Sequence, residues 1–175
     1  MLRVHLSDGT AVRIRPVVPA DKPRLADALG RLSTESIRRR FLAAKPSLSA
    51  AELRYLTEVD GSEHIALVAV LDEEPDQIAA VARCVRTEPG GEAAEFAIVV
   101  GDELQARGLG TALSAALAER ASGAGIRRFE ATTLADNEAV QHLIEGFAAH
   151  TETHIVPGGV REIVAELADC ERLAA

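Results

Sequence analysis

The sequence predicts an α/β protein of the α+β type, in which helices flank a mixed, mostly antiparallel sheet. Three strand-length apolar runs follow one another between tight turns, which favours antiparallel pairing. The last of these runs is joined through a helix to a further strand, and that connection requires a right-handed crossover with parallel pairing. With 175 residues, of which 47% are hydrophobic, residues 1–175 are predicted to form a single domain with a substantial core.

The first third of the chain predicts a hairpin followed by three helices. Residues 2–6 and 11–15 alternate apolar and polar side chains around Asp8-Gly9, as the strands of a hairpin do. Residues that favour helix N-termini then mark three helix starts, at Asp21, at Ser33 or Thr34, and at Ser49 with Glu52 as a capping box. The first two helices are predicted to end near residues 32 and 41.

The rest of the chain alternates strands with helices. Apolar runs predict strands at residues 64–71, 78–86 and 92–100. A helix over residues 108–122 and a strand over 127–133 follow, and a last helix is predicted from residue 136 or 137 to about 149. Residues 151–156 and 160–167 flank Pro157-Gly158-Gly159, which indicates a terminal hairpin.

The most informative stretch is the loop Gln105-Ala106-Arg107-Gly108-Leu109-Gly110, between an apolar strand and an Ala/Leu-rich helix. A strand that turns through glycines into a helix presents several free main-chain N–H groups beside the positive end of the helix dipole. Such a place binds phosphate, and Gly108 and Gly110 lack the Cβ that would keep a ligand away. The loop therefore predicts a pyrophosphate-bearing cofactor at residues 105–111.

Three known loop patterns compete for this stretch. No Lys follows the glycines, so the loop is not a P-loop, and Leu113 stands where a dinucleotide fingerprint needs its third glycine. The pattern [Gln/Arg]-x-x-Gly-x-[Gly/Ala] matches fully. In this loop the chain resembles the GNAT superfamily of N-acetyltransferases, and the order of its predicted elements is similar over almost its whole length. The resemblance implies a GNAT-like fold and acetyl-CoA as the co-substrate. The residues expected to hold it are Val99, Val100, Gln105, Ala106, Arg107, Gly108, Leu109, Gly110, Thr111 and Asn137.

Glu95 is the candidate catalytic residue. The amine of a lysine is protonated at neutral pH, so acyl transfer to it needs a base. Glu95 lies early in the strand that enters the loop, on the face of Ala97 and Val99, where a carboxylate is expected to be partly desolvated and more basic. The GNAT resemblance implies the same role, and Glu92 or an ordered water are the alternatives.

Asn137 is the second kind of cofactor candidate, and its neighbourhood departs from the family pattern. The segment Asp136-Asn137-Glu138-Ala139 resembles the Asn-x-x-Ala element of the superfamily, but the Ala comes one place early. Helix capping is the competing explanation for Asn137. Many members carry a Tyr about two turns later that can protonate the departing thiolate, whereas Ile144 and Glu145 stand there in this chain.

The N-terminal third carries a narrower resemblance. Short segments between residues 6 and 60, among them Leu6-Ser7-Asp8-Gly9-Thr10 and Leu48-Ser49 to Asp60, resemble the catalytic domain of bacterial protein lysine acetyltransferases. This resemblance implies a protein lysine as acceptor, for example on an acyl-CoA synthetase. A small amine is the alternative acceptor, and a catalytically silent acyl-CoA-binding regulatory module is the alternative to an enzyme. The sequence leaves open the regulation and the oligomeric state, including a homodimer.

Charge and composition argue against several other classes. A net charge of −8 argues against nucleic-acid and anionic-membrane partners, and the five histidines show no metal-ligand spacing, so no metal is expected. Cys84 and Cys170 are isolated, which fits free thiols in a reducing cytoplasm and argues against a cysteine nucleophile. No signal peptide or membrane span is expected. The run Arg38-Arg39-Arg40 is interpreted as a solvated helix surface.

Overall fold

The computed structural model describes residues 1–45 and 47–168. Within them lies one mixed sheet in the order β1-β2-β3-β4-β5-β6-β8-β7. Its strands are β1 (Leu2–His5), β2 (Ala11–Pro16), β3 (His64–Leu71), β4 (Ile78–Arg86), β5 (Ala93–Val100), β6 (Arg128–Leu134), β7 (Ala148–Val156) and β8 (Val160–Leu167). The α-helices are α1 (Lys22–Gly30), α2 (Thr34–Phe41), α3 (Ala50–Thr57), α4 (Leu109–Gly123) and α5 (Glu138–Glu145).

The pairing of the strands confirms the predicted mixed sheet. Neighbouring strands are antiparallel everywhere except between β5 and β6, which are parallel and joined by α4. A parallel pair needs a long crossover connection, and α4 supplies it. The fold class predicted from the sequence is therefore correct.

Helices cover both faces of the sheet. On one face Leu109, Leu113 and Leu117 of α4 are fully buried in the larger core, where α5 also packs through Ile144. On the other face α1 and α3 pack on a smaller core that includes Leu25 and side chains of β3 and β4. The core on this second face is therefore the smaller of the two.

A fork in the sheet determines where a ligand can enter. The parallel pairing of β5 with β6 covers only Ala93–Glu95 against Arg128–Glu130. Beyond Glu95, β5 continues to pair with β4 as far as Val100, while β6 pairs with β8 as far as Leu134. The two strands therefore separate, and a cleft opens between them.

Two local expectations differ from the structure. Asp21 does not cap α1 with its side chain; instead its fully buried carboxylate accepts hydrogen bonds from Arg15 at 2.7 and 2.8 Å and from the Val18 N–H at 3.0 Å. The last helix ends at Glu145 rather than near residue 149 because Ala148, paired with Leu167, already begins β7.

Candidate active site

The loop after β5 has the backbone geometry of an anion site. Ala106 and Gly108 take positive φ angles of 58° and 86°, and α4 starts at Leu109. Among the described residues, none of the main-chain N–H groups of residues 106–111 donates a hydrogen bond within the protein. Because these donors lie at the N-terminus of a long helix, they can all be offered to a bound phosphate.

This loop forms one wall of a cavity of about 360 Å³, here called the cofactor cleft, between β5, the loop, α2 and α5. All but two of the residues predicted to hold the cofactor line this cleft. Leu109 is fully buried in the core, so only its main chain is available, and Arg107 points to the β1–β2 hairpin. There the Arg107 Nη1 donates to the Asp8 carboxylate at 2.7 Å. The sequence did not identify the walls of the cleft that α2 and the C-terminal part of α5 supply.

The edge of β5 that faces β6 is open beyond the fork. The Ala93 carbonyl and the Gly101 N–H both bond on the β4 side, to Thr87 and Ala79. Main-chain groups alternate between the two edges of a strand. The N–H and C=O groups of Ile98 and Val100 therefore face the cleft, whereas Val99 can contribute its side chain. Ile98 was missed in the sequence, where no signal distinguishes it from its apolar neighbours.

A polar network ties α2 to the cofactor loop. The Asp102 carboxylate accepts from the Ser33 N–H and hydroxyl, each at 2.8 Å, and from the Ser36 hydroxyl at 2.6 Å. Gln105 donates its amide to the Ser36 hydroxyl and to the Val100 carbonyl, each at 3.2 Å. Burial opposes ionisation of Asp102, but the hydrogen bonds from Ser36 and Ser33 outweigh it and hold its pKa below the usual value.

Asn137 lines the cofactor cleft, and its side chain is hydrogen-bonded to Thr133. It is 5% exposed, and its Nδ2 donates to the Thr133 hydroxyl at 3.1 Å. Its side chain makes no capping hydrogen bond to α5. The helix-capping explanation for Asn137 is therefore wrong, and its role in holding the cofactor stays a prediction.

Glu95 lies at the apex of the fork, as the last residue of β5 that pairs with β6. Its side chain lines a second cavity of about 220 Å³ between the diverging strands. The carboxylate is exposed, so the expectation that it is desolvated is wrong. The physical reason is the fork itself, because beyond Glu130 no strand covers this side of β5. Its role as the base stays a prediction, which its access to this second cavity supports and burial does not.

The arginine run of α2 divides into two kinds of residue. Arg38 and Arg39 are exposed and pair with Glu35, as the interpretation of a solvated surface requires, although Arg39 also lines the cofactor cleft and the cavity beside Glu95. Arg40 is half-buried instead and lines the cofactor cleft as well as the cavity beside Glu95. Burial lowers the pKa of Arg40, and the charge of Glu95 opposes that shift. For Arg40 the surface interpretation is therefore wrong.

A third cavity, of about 350 Å³, lies on the face of the sheet that has the smaller core, between α1, α2, α3 and strands β4 and β5. It is here called the α1–α3 groove. Most of its lining is apolar, including Leu25, Leu56 and Val99, but Arg40 and Arg83 also line it. Since Arg40 borders all three cavities, the groove adjoins the site of Glu95 from the side opposite α4.

The other reactive groups do not form a competing centre. Cys84 is fully buried in the core, and burial raises the pKa of its thiol to about 12, so a thiolate is not available there. Cys170 lies outside the described residues. Within residues 1–45 and 47–168, no three His, Cys, Asp or Glu side chains come together in a way that could hold a metal ion.

The helices of the described part of the chain include none with the length and apolarity that crossing a membrane would require.

Comparison with known proteins gives consistent relatives. The chain is 34% identical over 146 residues to the acetyltransferase Pat of Mycolicibacterium smegmatis, an alignment that covers 83% of this chain and 43% of that protein. The chain thus spans less than half the length of this curated relative. The crystal structure of the GNAT domain of S. lividans PAT superposes with a TM-score of 0.83 at 30% identity, covering 95% of this chain and 96% of that one.

A more distant structure shares the fold. It is an acetyltransferase from Salmonella typhimurium solved with its cofactor acetyl-CoA, with a TM-score of 0.64 at 17% identity over 94% of this chain and 96% of that one. Residues 33–147, which include the fork, the loop and α5, match the Acetyltransferase (GNAT) family. The chain therefore belongs to the acetyltransferase (GNAT) family, and the recognition made from the loop and the element order is confirmed.

Proposed function

We propose that this acyl-CoA-dependent N-acetyltransferase moves the acetyl group of acetyl-CoA directly to the side-chain amine of a protein lysine. The observation that carries the proposal is that the cofactor cleft adjoins the cavity beside Glu95, since Ile98, Val140 and Arg40 line both. Together the two cavities lead from the free N–H groups of residues 106–111, along the open edge of β5, to the carboxylate of Glu95 at the fork. A pyrophosphate, an amide-bearing arm and a thioester would meet suitable groups in that order.

Each part of acetyl-CoA has a proposed binding place. The pyrophosphate lies on the N–H groups at the start of α4, since helix N-termini favour anions. The two amides of the pantetheine arm pair with the main chain of Ile98 and Val100, as an added strand would. The loop residues, Asn137 and the side chain of Val99 shape the walls.

In the transfer itself the amine nitrogen attacks the thioester carbonyl, the C–S bond breaks, and coenzyme A leaves as a thiolate. Glu95 accepts the proton that the ammonium form of the acceptor must lose, directly or through a water. No Tyr stands beside the cleft on α5, where Ile144 is buried. The nitrogen loses its second proton as the amide forms, and water carries this proton to the thiolate. An unperturbed thiol has a pKa of about 8.5, so the thiolate can leave before it is protonated.

The choice of acceptor rests on the relatives and on the N-terminal resemblance. Both the acetyltransferase Pat and the GNAT domain of S. lividans PAT match most of this chain. The direct test is to incubate a purified acyl-CoA synthetase with this protein and acetyl-CoA, and to map acetylated lysines by mass spectrometry. We expect modification above an enzyme-free control, and none with Glu95→Gln in place of the wild type over the same time.

The same experiment addresses the alternatives. If a polyamine or another small amine is acetylated and the synthetase is not, the hypothesis of a small-molecule acceptor replaces that of a protein lysine. If acetyl-CoA binds but neither the synthetase nor any small amine is acetylated, the chain is a catalytically silent acyl-CoA-binding module.

A further inference from the structure

The α1–α3 groove contains a buried cation without a carboxylate partner. Arg83, on β4, is 6% exposed, and among the described residues it forms no ion pair. Its Nη1 lies 3.1 Å from the Nε2 of His64 and donates to the Leu56 carbonyl at 3.4 Å. Buried charges in proteins are normally compensated by an opposite charge, so the arrangement at Arg83 is incomplete.

The neighbours of Arg83 increase the positive charge. Burial, followed by the charge of Arg40, lowers the pKa of the Arg83 guanidinium to about 10, which still leaves it protonated at neutral pH. Burial, followed by the charge of Arg83, lowers the pKa of His64 to about 4, so its imidazole is neutral and can only accept from Arg83. The guanidinium groups of Arg83 and Arg40 therefore repel each other in a groove whose lining is mostly apolar.

None of the acids near the groove forms an ion pair with Arg83 among the described residues. Asp102 lines the groove but accepts hydrogen bonds from Ser33 and Ser36, and the fully buried Asp21 is paired with Arg15. Glu103 also lines the groove, and it is exposed to solvent. Glu95 faces Arg40 without an ion pair within 4.0 Å in the described structure. A ligand group that brings its own negative charge would complete the site.

From these contacts we propose that the α1–α3 groove binds a carboxylate carried on a short apolar stem, with Arg83 and Arg40 as its cationic partners. The proposal rests on the proposed function, because the groove adjoins Glu95 and would hold part of a reacting molecule. The carboxylate can come from the acyl group, as in a dicarboxylic acyl-CoA, or from the acceptor, as an acidic group near the amine. An ammonium ion alone would be repelled by the guanidinium groups of Arg83 and Arg40.

Two matched probe pairs test the proposal by isothermal titration calorimetry, which needs no turnover. Succinyl-CoA and butyryl-CoA have acyl chains of the same length with and without a carboxylate. L-lysine and 1,5-diaminopentane, added to protein saturated with CoA, present the same side-chain amine with and without a carboxylate. We expect one pair to show at least about tenfold tighter binding of the carboxylate member, because a charge-assisted hydrogen bond contributes about 1.5–3 kcal/mol. The pair that discriminates identifies the source.

The variants show whether the arginines cause the preference. Arg83→Met and Arg40→Met keep most of the side-chain volume and remove the charge, so each is expected to abolish the preference. Arg31→Met is the matched control, since Arg31 lines the same groove but its guanidinium already donates to the Ile78 carbonyl at 3.1 Å. If Arg83→Met does not fold, as judged by its melting curve, the half-buried Arg40 variant decides.

The outcomes separate this proposal from the proposed function. The carboxylate site is refuted if neither pair shows tighter binding of its carboxylate member. It is also refuted if the preference survives in folded Arg83→Met or, where that variant does not fold, in Arg40→Met. In both cases acetyl-CoA binding by the wild type stands. Loss of acetyl-CoA binding by the wild type would instead refute the proposed function. The lysine pair is then run without CoA, and the preference for the carboxylate member remains measurable.

Discussion

At the scale of single residues, Glu95 is the group on which catalysis is expected to depend. Glu95→Gln keeps the size of the side chain but removes its ability to accept a proton. General-base catalysis typically contributes about 10²–10⁴-fold, so we expect kcat to fall on that scale while acetyl-CoA affinity persists. Glu92→Gln, in an exposed residue just before β5, is the control and should keep wild-type kcat. Near-normal turnover of Glu95→Gln would transfer the role to Glu92 or water.

Gly108 gives a test of the anion site that separates charge from backbone strain. Its φ is 86°, and a Cβ built there meets nothing within 4 Å. Asn and Asp both tolerate this conformation better than other residues, so Gly108→Asn and Gly108→Asp differ mainly in charge. A like charge 4 Å from a phosphate costs about 1 kcal/mol in water. The Gly108→Asp variant should therefore bind acetyl-CoA roughly fivefold more weakly than the Gly108→Asn variant. Equal affinities by calorimetry would argue against a pyrophosphate here.

Gly110 would be a poorer choice for that test. A Cβ at Gly110 would lie 3.1 Å from the Cδ2 and 3.3 Å from the Cδ1 of Leu143, which itself lines the cofactor cleft. Any substitution at Gly110 therefore disturbs the packing of the Leu143 side chain as well as the ligand. Close packing between two helices thus explains this glycine as well as access for a ligand does.

His64 predicts a pH dependence of stability. Its pKa in the folded protein is lowered to about 4 from 6.5 because the ring is buried beside Arg83. The unfolded chain therefore binds a proton at a higher pH than the folded one. The stabilisation is fully present above pH 6.5 and is lost as the pH falls towards 4. Each pKa unit corresponds to about 1.4 kcal/mol, so the loss amounts to up to about 3 kcal/mol.

The measurement is urea unfolding at several pH values between 7 and 4. His64→Gln can still accept a hydrogen bond from Arg83 but does not titrate, so its stability should change less over this range. An identical pH slope in wild type and variant would assign the effect to other groups.

Arg40 illustrates what the sequence could and could not reveal at this scale. The pattern in α2 places Ser36, Ile37, Arg40 and Phe41 on one face, and all four are half-buried. That periodicity was present in the sequence, whereas the adjacent run of three arginines favoured a solvated surface. Arg83 had no such signal, because a charged residue inside an apolar strand reveals neither its burial nor its lack of a carboxylate partner.

At the scale of elements, the network around Asp102 is expected to hold α2 against the cofactor loop. Asp102→Ala removes three short hydrogen bonds, which contribute about 0.5–1.5 kcal/mol each. We expect the melting temperature to fall by several degrees and KM for acetyl-CoA to rise a few-fold, because α2 forms a wall of the cleft. Glu103→Ala, in the neighbouring exposed residue, is the control. An unchanged KM for acetyl-CoA in Asp102→Ala would show that the hydrogen bonds of Asp102 do not shape the cofactor cleft.

The elements also show where sequence patterns succeed. Strands β3 and β4 were predicted at their observed bounds because each is a buried apolar run between clear turn residues. The end of α5 was misplaced because Ala148 and Ala149 favour helices by intrinsic propensity. Ala148 pairs instead with Leu167 of β8, and the register shifts between Ala148 and His150, so tertiary contacts override propensity. The fork was not predictable either, since pairing length depends on how β6 and β8 pack together.

At the scale of the whole molecule, acetyl-CoA is expected to stabilise the fold by bridging the two halves of the sheet. A ligand at one hundred times its Kd raises the free energy of unfolding by about 2.7 kcal/mol. We expect a concentration-dependent rise in melting temperature. Hydrogen exchange at the amides of Ile98 and Val100 should slow with acetyl-CoA, whereas the already paired amide of Gly101 should change little. Slowing confined to other regions would contradict the placement along β5.

The fork has a further consequence, for aggregation. An unpaired strand edge is a template on which a strand of another chain can add, and natural proteins protect such edges. Here the open edge of β5, from Phe96 to Val100, lies inside the sheet rather than at its rim. It is enclosed by β6 on one side and by the cationic face of α2 on the other. To pair with this edge, a strand of another chain would have to enter between α2 and β6. The fold can thus keep main-chain groups unpaired for an extended ligand without exposing a strand edge on which other chains could aggregate.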